Sequence, residues 1–367
     1  MQLHFELDHG ALEAAGRKVA AVLQRSWRAE PPALESSLEL QAVVPLLLRS
    51  GTAALAWWRA SGGGSRAADS RILQDAYRQH AIHAAVHEQQ IQAVFGLLGG
   101  AGVDAVLGKG WAIARQYPDP ALRPYGDLDL YVPEAHYART QEVLAAVTLD
   151  GCPVDLHRSF VEIGRRDEEV LAATRVVVLE GIPVRIFGPE DHLRLLALHL
   201  LRHGGWRPLW LCDIAIAIES GEDRLDWDRL LRGDDTRRDW IAATVVLARD
   251  LLGADLHGPP AEVTGRSLPR WLAPTVLRQW GDLRFVPHGT RTPIAHLLGQ
   301  PRALWSALHA RWPNGVEATV GVRGPFNELP RLPFQVAESM RRSAVFMLRL
   351  RQASGGVATT FSADSSK

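Results

Sequence analysis

The chain has 367 residues, an apolar fraction of 47% and equal numbers of basic and acidic residues, 41 of each. This composition predicts a globular protein with a sizeable core and room for two domains, or for one domain with helical additions. The balanced charge disfavours a nucleic-acid-binding surface, which normally carries an excess of basic residues. The two cysteines, Cys152 and Cys212, form neither a zinc motif nor a disulfide framework. No secretory signal and no long apolar run is visible, so we expect a cytoplasmic protein that does not bind membranes.

Residues 1–66 predict an N-terminal helical region. Helical periodicity covers residues 11–27, and a second apolar stretch at 38–58 is interrupted near Pro45 and Gly51. The sequence SGGGS at 61–65 has the composition of a flexible linker.

Residues 67–188 predict a mixed core of helices and strands. A long helix is expected over 67–98. Alternating or short apolar runs predict strands at 103–107, 127–132, 154–160, 176–179 and 183–187, and helices at 111–116 and 136–147 lie between them. Glu180 and Gly181 suit the tip of a hairpin between the last two strands.

Residues 189–352 predict a larger, C-terminal helical region. The expected helices cover 190–203, 209–218, 240–252, 268–280, 294–312 and 334–351. Asp226 suits the N-cap of a further helix, and Gly253 suits a helix end. The small polar residues 353–367 have no core-forming pattern and predict a disordered tail.

Three carboxylates define the candidate site. In the run DLDLYV, Asp127 and Asp129 alternate with apolar residues, so both side chains are expected on one face of a strand while Leu128 and Leu130 enter the core. Asp155 lies in a second alternating run, VDLH. Clustered carboxylates repel one another unless a cation lies between them, and Mg²⁺, or Mn²⁺ in its place, prefers such oxygen ligands. Paired ions of this kind serve phosphoryl and nucleotidyl transfer.

The residues before these acids predict an anion-binding turn. Gly108, Lys109 and Gly110 separate a strand from a helix, and such a turn offers backbone N–H groups to a phosphate. Lys109 is one of only three lysines among 41 basic residues, which draws attention to its compact charge. An ordinary strand-to-helix turn that needs glycine dihedrals is the alternative. Arg123 could bind phosphate bidentately or form an ion pair with Asp119 or another acid.

Several histidines remain open to more than one interpretation. His157 is expected beside Asp155 and could contact that carboxylate or the substrate. His192, His199 and His203 recur at spacings of seven and four on one predicted helix, with Asp213 on the next helix. Zinc binding by this group is one hypothesis. Acceptor binding, support of the site or simple packing are the others.

These motifs together carry a resemblance to a known family. A glycine turn, an Asp-x-Asp pair and a later Asp resemble the polymerase-β-type nucleotidyltransferase superfamily. The stretches KGWAIARQYPDPALRPYGDLDLYV and VDLH, with HLLRHGGWRPLWLCDIA and DWDRLL beyond them, are similar to an uncharacterised bacterial nucleotidyltransferase family. One departure is the turn itself, where many members of the superfamily have Gly-Ser or Gly-Gly and this chain has Lys109-Gly110.

The resemblance implies an α+β fold, with a small mixed sheet between the N-terminal and C-terminal helical regions. It also implies a Mg²⁺-dependent enzyme that moves an NMP group from an NTP, ATP above all, to a hydroxyl or phosphate of a small molecule, peptide or protein. Asp127 and Asp129 would hold both ions, and Asp155 would hold the catalytic ion and help to deprotonate the acceptor. Gly108, Lys109, Gly110 and Arg123 would bind the triphosphate.

Two other functions remain open. A nucleotide-binding accessory protein would keep the fold without turnover, although retention of all three acids argues against it. A phosphotransferase would use the same ions but release ADP rather than pyrophosphate.

Overall fold

The computed structural model describes residues 8–34, 37–62, 70–146, 152–219, 225–285, 307 and 311–357. Most of the predicted linker, most of the predicted helix at 294–312 and residues 358–367 of the predicted tail lie outside these residues. The described chain is an α+β structure with a five-stranded mixed sheet, which confirms the predicted fold class.

Helices precede the sheet, as predicted. They are α1 (His9–Leu23), α2 (Ser37–Ser50), α3 (Ala53–Gly62) and the long α4 (Ser70–Gly100). Pro45 lies inside α2. The helix ends at Ser50, and the next residue, Gly51, has a positive φ of 75° that suits glycine.

The five predicted strands of the core follow in order, together with the two predicted short helices and one further helix, at Asp167–Leu171, that was not predicted. They are β1 (Val106–Gly108), α5 (Gly110–Ala114), β2 (Leu128–Val132), α6 (Tyr137–Ala145), β3 (Val154–Arg158), α7 (Asp167–Leu171), β4 (Arg175–Leu179) and β5 (Ile182–Ile186). The strand order is β3-β2-β1-β5-β4. β1 runs antiparallel to β2 and parallel to β5, and β2 runs parallel to β3. β4 and β5 form the predicted hairpin, with positive φ at both Glu180 and Gly181.

The described part of the second half is helical. Its helices are α8 (Pro189–Arg202), α9 (Pro208–Glu219), α10 (Trp227–Leu231), α11 (Asp235–Leu252), α12 (Ala261–Thr264), α13 (Leu272–Gly281), α14 (Gly315–Gly321) and α15 (Leu332–Val357). The Asp226 side chain caps α10 and Gly253 ends α11 in a left-handed conformation, both as predicted. α15 continues to Val357, so the first residues of the predicted disordered tail are helical instead.

Two parts of the core position the site. The N-terminal helices share a large hydrophobic cluster with helices of the second half. α1 and α13 approach so closely that a Cβ on Gly16 would lie 2.0 Å from the Leu277 carbonyl oxygen, and one on Gly281 would lie 2.0 Å from that of Leu12. A second cluster packs α4 against the sheet and includes Leu128 and Leu130, the two residues predicted to enter the core.

Among the residues that the structure describes, the helices are too short or too polar to cross a lipid bilayer.

Candidate active site

The acids meet because two neighbouring strands run parallel. β2 and β3 pair in a register that sets Asp129 opposite Asp155 and Tyr131 opposite His157. Asp129 is buried, with 4% of its surface exposed, whereas Asp155 is exposed. Asp127 is also exposed and lies one residue before β2 begins. The sheet therefore presents one buried carboxylate between two accessible ones.

His157 joins two of these acids. Its Nε2 lies 3.2 Å from Oδ1 of Asp129 and 3.2 Å from Oδ2 of Asp155. The ring stacks on Tyr131, with 4.2 Å between the ring centroids, and this contact fixes its orientation. Potential ligand atoms of Asp129, Asp155 and His157 all lie within 4.8 Å of one another. His157 thus lies beside Asp155, as the sequence predicts, and also contacts Asp129.

The two carboxylates of the Asp-x-Asp motif have opposite pKa shifts. Burial alone would raise the pKa of Asp129, but the hydrogen bond from His157 and the charge of Lys109 outweigh it, and that pKa is lowered. At Asp127, desolvation by the surrounding cavity and the nearby charge of Asp129 raise the pKa. Asp129 is therefore the more strongly acidic of the two.

The turn between β1 and α5 departs from the expected glycine geometry. The residue with a positive φ is Lys109, at φ 45° and ψ −130°, and neither glycine beside it has one. Such a conformation is unfavourable for a residue with a side chain and persists only where the surroundings impose it. His192 supplies that restraint, because its Nε2 accepts a hydrogen bond of 3.1 Å from the Lys109 backbone N–H.

His192 can accept this bond because it is neutral. Burial lowers the pKa of His192 to about 4, so its Nε2 keeps a free lone pair at neutral pH. The side chain is buried on α8 and stacks near Phe187. The sequence placed His192 in a histidine group with His199 and His203, whereas the structure shows it holding the turn.

Gly108 is required for packing rather than for its dihedrals. A Cβ at this position would lie 2.9 Å from the Tyr131 ring, 3.0 Å from the Phe187 ring and 3.1 Å from a Leu195 methyl group. At Gly110 the nearest atoms would lie at 3.4 to 3.5 Å, which is ordinary contact. The two glycines of the turn therefore differ in what they contribute.

The Lys109 side chain reaches Asp129. Its Nζ lies 2.5 Å from Oδ1, and both side chains are nearly fully buried. The ammonium also lies 5.9 Å from the centre of the Tyr131 ring. The cation of the turn and the central acid of the sheet thus form a direct ion pair.

Arg123 forms a different ion pair. Its Nε and Nη2 donate to the carboxylate of Asp213, the latter at 2.7 Å, and both residues are buried. The Tyr117 hydroxyl donates to the same carboxylate at 2.9 Å. Asp119 instead caps a short 3-10 turn and accepts a hydrogen bond from Tyr77. The ion-pair alternative for Arg123 is therefore present, with Asp213 as its partner.

A cavity of about 290 Å³ opens beside the acids. The cavity lies between the sheet and the helices of the second half. The residues that line it come from the β1–α5 turn, the segment that precedes β2, the strands β2 and β3, the helices α8 and α9 and the connection between these two helices: Lys109, Gly110, Arg123, Tyr125, Gly126, Asp127, Asp129, Asp155, Leu196, His199, His203, Arg207 and Trp210. The acids form one side of the cavity. The helical side carries the imidazoles of His199 and His203, whose ring centroids lie 4.4 and 5.2 Å from that of Trp210.

Arg207 is a functional candidate that the sequence analysis did not single out. Its Nε donates to the Ser50 carbonyl oxygen at 2.9 Å, and the guanidinium lies 5.8 Å from the Trp210 ring centre. Burial and the nearby charge of Arg123 lower the pKa of Arg207 to about 10, so it remains cationic at neutral pH. Its only sequence signal was its place in the family-like block HGGWRPLW.

The donor set suits a divalent cation at the sheet rather than zinc at the helices. Asp129 and Asp155 offer the oxygen ligands that Mg²⁺ prefers, and a nitrogen from His157 is compatible with Mn²⁺. Within the described ranges, these three residues form the group whose atoms lie close enough to hold a metal ion. On the helices, His192 Nε2 is engaged by Lys109 and Asp213 by Arg123.

Comparisons with known proteins identify a family for this chain. The model of a family described as uncharacterised nucleotidyltransferase matches residues 36–238. A crystal structure of an antigenic nucleotidyltransferase-like protein from Paracoccidioides brasiliensis is similar at 15% sequence identity and a TM-score of 0.37, over 49% of this chain and 96% of that one. A search of curated protein sequences finds no match.

Proposed function

The chain belongs to the uncharacterised nucleotidyltransferase family, and we propose that it transfers an NMP group from an NTP, with ATP as the first donor to test. The acceptor is a hydroxyl or phosphate group of a small molecule, peptide or protein, and the reaction depends on Mg²⁺ or Mn²⁺. One observation carries this proposal: buried Asp129 lies beside Asp155 at a cavity that also contains Lys109 and Arg207.

The opposite charges of the cavity suit a triphosphate with its metal. Asp129, Asp155 and His157 would hold a divalent cation, and Asp127 at the exposed rim would complete the acidic set. When bound, the cation supplies charge neutralisation at the phosphates. Lys109 and Arg207 line the same cavity and would bind phosphate oxygens as a point charge and as a fork, respectively.

The remaining steps fall to the chain's own side chains. Asp155 is exposed and is placed to take the proton of the acceptor hydroxyl. The acceptor oxygen then forms a bond to the α-phosphorus, the bond from that phosphorus to the bridging oxygen breaks, and pyrophosphate leaves. His199, His203 and Trp210 form the helical wall against which the acceptor or the nucleobase would pack.

Arg123 receives a different role from the phosphate binding that the family resemblance implied. Asp213 already engages the Nε and Nη2 atoms that a bidentate phosphate contact would use. We assign Arg123 and Asp213 to holding the segment before β2 against α9, and Arg207 to phosphate binding.

Transfer of label from [α-³²P]ATP tests the proposal. Purified protein is incubated with Mg²⁺ or Mn²⁺ and with pools of small molecules, peptides and proteins, and transfer by wild type is compared with that by Asp129→Asn. Because Asp129 is central to the metal set, we expect its loss to lower transfer about a thousandfold, equivalent to about 4 kcal/mol of transition-state stabilisation. Transfer by Asp129→Asn at the wild-type rate would refute this mechanism. Release of ADP instead of pyrophosphate would identify a phosphotransferase.

A further inference from the structure

We propose that Lys109 and a divalent cation compete for Asp129, so that the metal and the triphosphate enter the site together and Lys109 passes from the carboxylate to the phosphate. This inference rests on the proposed function, because it concerns the way in which the same site is filled. Lys109 then has a second role besides phosphate binding, because its position determines the affinity of the site for the metal ion.

The contacts of Asp129 are the first step of the argument. The Lys109 ammonium lies 2.5 Å from Oδ1 of Asp129, and His157 Nε2 lies 3.2 Å from the same oxygen. Oδ1 of Asp129 therefore contacts two nitrogen atoms, one from Lys109 and one from His157. A metal ion held by Asp129, Asp155 and His157 must take over at least part of this environment.

Electrostatics makes the ammonium and the metal mutually exclusive there. An ammonium within hydrogen-bonding distance of a ligand oxygen repels a divalent cation on that oxygen, and burial strengthens the repulsion because the local dielectric is low. Conversely, an ammonium that leaves Asp129 needs another anion, since a buried charge without a partner is strongly unfavourable. The triphosphate is the anion that the proposed reaction brings.

The backbone of the turn allows this exchange without rearrangement of the fold. His192 holds the Lys109 N–H, and the residue is fixed at a φ of 45°. The flexible four-carbon side chain lies along the cavity that the phosphates would enter, together with Arg207. Only side-chain rotation is needed to move the ammonium between its two partners.

The consequence is positive coupling between metal and nucleotide. A triphosphate that draws Lys109 away strengthens metal binding, and a metal that displaces Lys109 strengthens triphosphate binding by the same factor. Such couplings are typically between about 5-fold and 150-fold. Removal of the lysine charge should abolish this part of the coupling.

A titration with Mn²⁺, followed by electron paramagnetic resonance, tests the competition. The proteins are wild type, Lys109→Met and the control Lys18→Met, whose lysine is exposed on α1. We expect Lys109→Met to bind Mn²⁺ about tenfold more tightly than the other two in the absence of nucleotide. Addition of α,β-methylene-ATP should tighten Mn²⁺ binding about tenfold in wild type and little in Lys109→Met. Equal Mn²⁺ affinity of Lys109→Met and wild type, or no Mn²⁺ binding by any of the three, would overturn the inference.

A second measurement needs no substitution at Lys109. The chain has three lysines, so ¹³Cε-lysine labelling gives few NMR signals, and Lys18→Met and Lys367→Met assign the Lys109 signal by elimination. The Lys109 signal should shift on addition of Mg²⁺ with α,β-methylene-ATP, while that of Lys18 stays in place. A Lys109 signal that does not move at saturating Mg²⁺ and analogue would contradict the exchange.

These results separate the inference from the proposed function. A raised Mn²⁺ affinity in Lys109→Met without any label transfer by wild type would support the competition and count against nucleotidyl transfer. Label transfer that requires Asp129, with unchanged Mn²⁺ affinity in Lys109→Met, would support nucleotidyl transfer and contradict the competition.

Discussion

Two buried ion pairs lie close together in this protein and differ in their hydrogen-bond geometry and in their surroundings. Arg123 and Asp213 are joined by a fork of hydrogen bonds, and Tyr117 donates to the same carboxylate. Lys109 and Asp129 share one short contact at the wall of a cavity, and Asp129 also contacts His157.

The difference separates a pair that holds the fold from a pair that is free to exchange partners. A planar guanidinium fits a carboxylate in a fixed geometry, whereas an ammonium is a point charge on a flexible stem. Around Asp213 the described partners saturate the carboxylate, but Asp129 lies among groups that could hold a metal. Burial of an ion pair therefore does not by itself indicate a structural role.

The largest expected contrast comes from removing each acid in turn. Asp213→Asn leaves the buried Arg123 without its partner and should lower the free energy of unfolding by about 3 to 5 kcal/mol. Asp129→Asn leaves the Lys109 ammonium without its partner and should lower it by about 1 to 3 kcal/mol, less than Asp213→Asn because Lys109 lines the cavity. Urea unfolding followed by circular dichroism measures both. Equal losses of stability would remove the distinction between the pairs.

The next contrast uses pH, because the Lys109 pair depends on a neutral histidine. The folded state holds the pKa of His192 at about 4, below its ordinary value of 6.5, so the unfolded chain binds a proton first as the pH falls. The contribution of His192 to the free energy of unfolding is fully present above pH 6.5. It is lost as the pH falls from 6.5 to 4, and the loss amounts to roughly 3 kcal/mol.

His192→Gln can still accept the hydrogen bond from the Lys109 N–H and does not titrate. The loss of unfolding free energy between pH 7 and pH 4 should thus be smaller in His192→Gln than in wild type. A pH dependence identical to that of wild type would show that His192 is protonated as readily in the folded chain as in the unfolded one.

The smallest contrast concerns the two glycines around Lys109. Gly108→Ala would force Tyr131, Phe187 and Leu195 apart and should cost about 1 to 3 kcal/mol of stability. Gly110→Ala makes only ordinary contacts and should leave stability nearly unchanged. Thermal unfolding of both variants measures the effect. A larger loss in Gly110→Ala than in Gly108→Ala would contradict the packing role assigned to Gly108.

The local sequence pattern predicted the helices and strands well, because these elements depend mainly on residues that are close together in the chain. The alternation of DLDLYV and VDLH placed two strands correctly, and the capping role of Asp226 followed from residue type alone. The carboxylates came together because β2 and β3 pair in parallel, a strand direction that was not among the predictions.

Contacts between distant residues could not be predicted in this way. Arg123 lies 90 residues from Asp213, and Lys109 lies 83 residues from His192, so no local pattern links them. The positive φ at Lys109 was missed for the same reason, because glycine is the usual choice for that conformation and two glycines stood beside it. Arg207 entered the site only because the fold brings the connection between α8 and α9 to the same cavity as the acids.

The central position of β1 in the sheet has a consequence for how the chain folds. β1 pairs with β5 through Leu107 and Ile186, and the restraint on Lys109 comes from α8, beyond both strands. Such non-local pairing is slow to form, because a long loop must close before the contact is gained. During synthesis, the acids of β2 and β3 emerge before His192 can restrain the turn. The lysine turn can therefore reach its final conformation only after α8 has been synthesised and has docked.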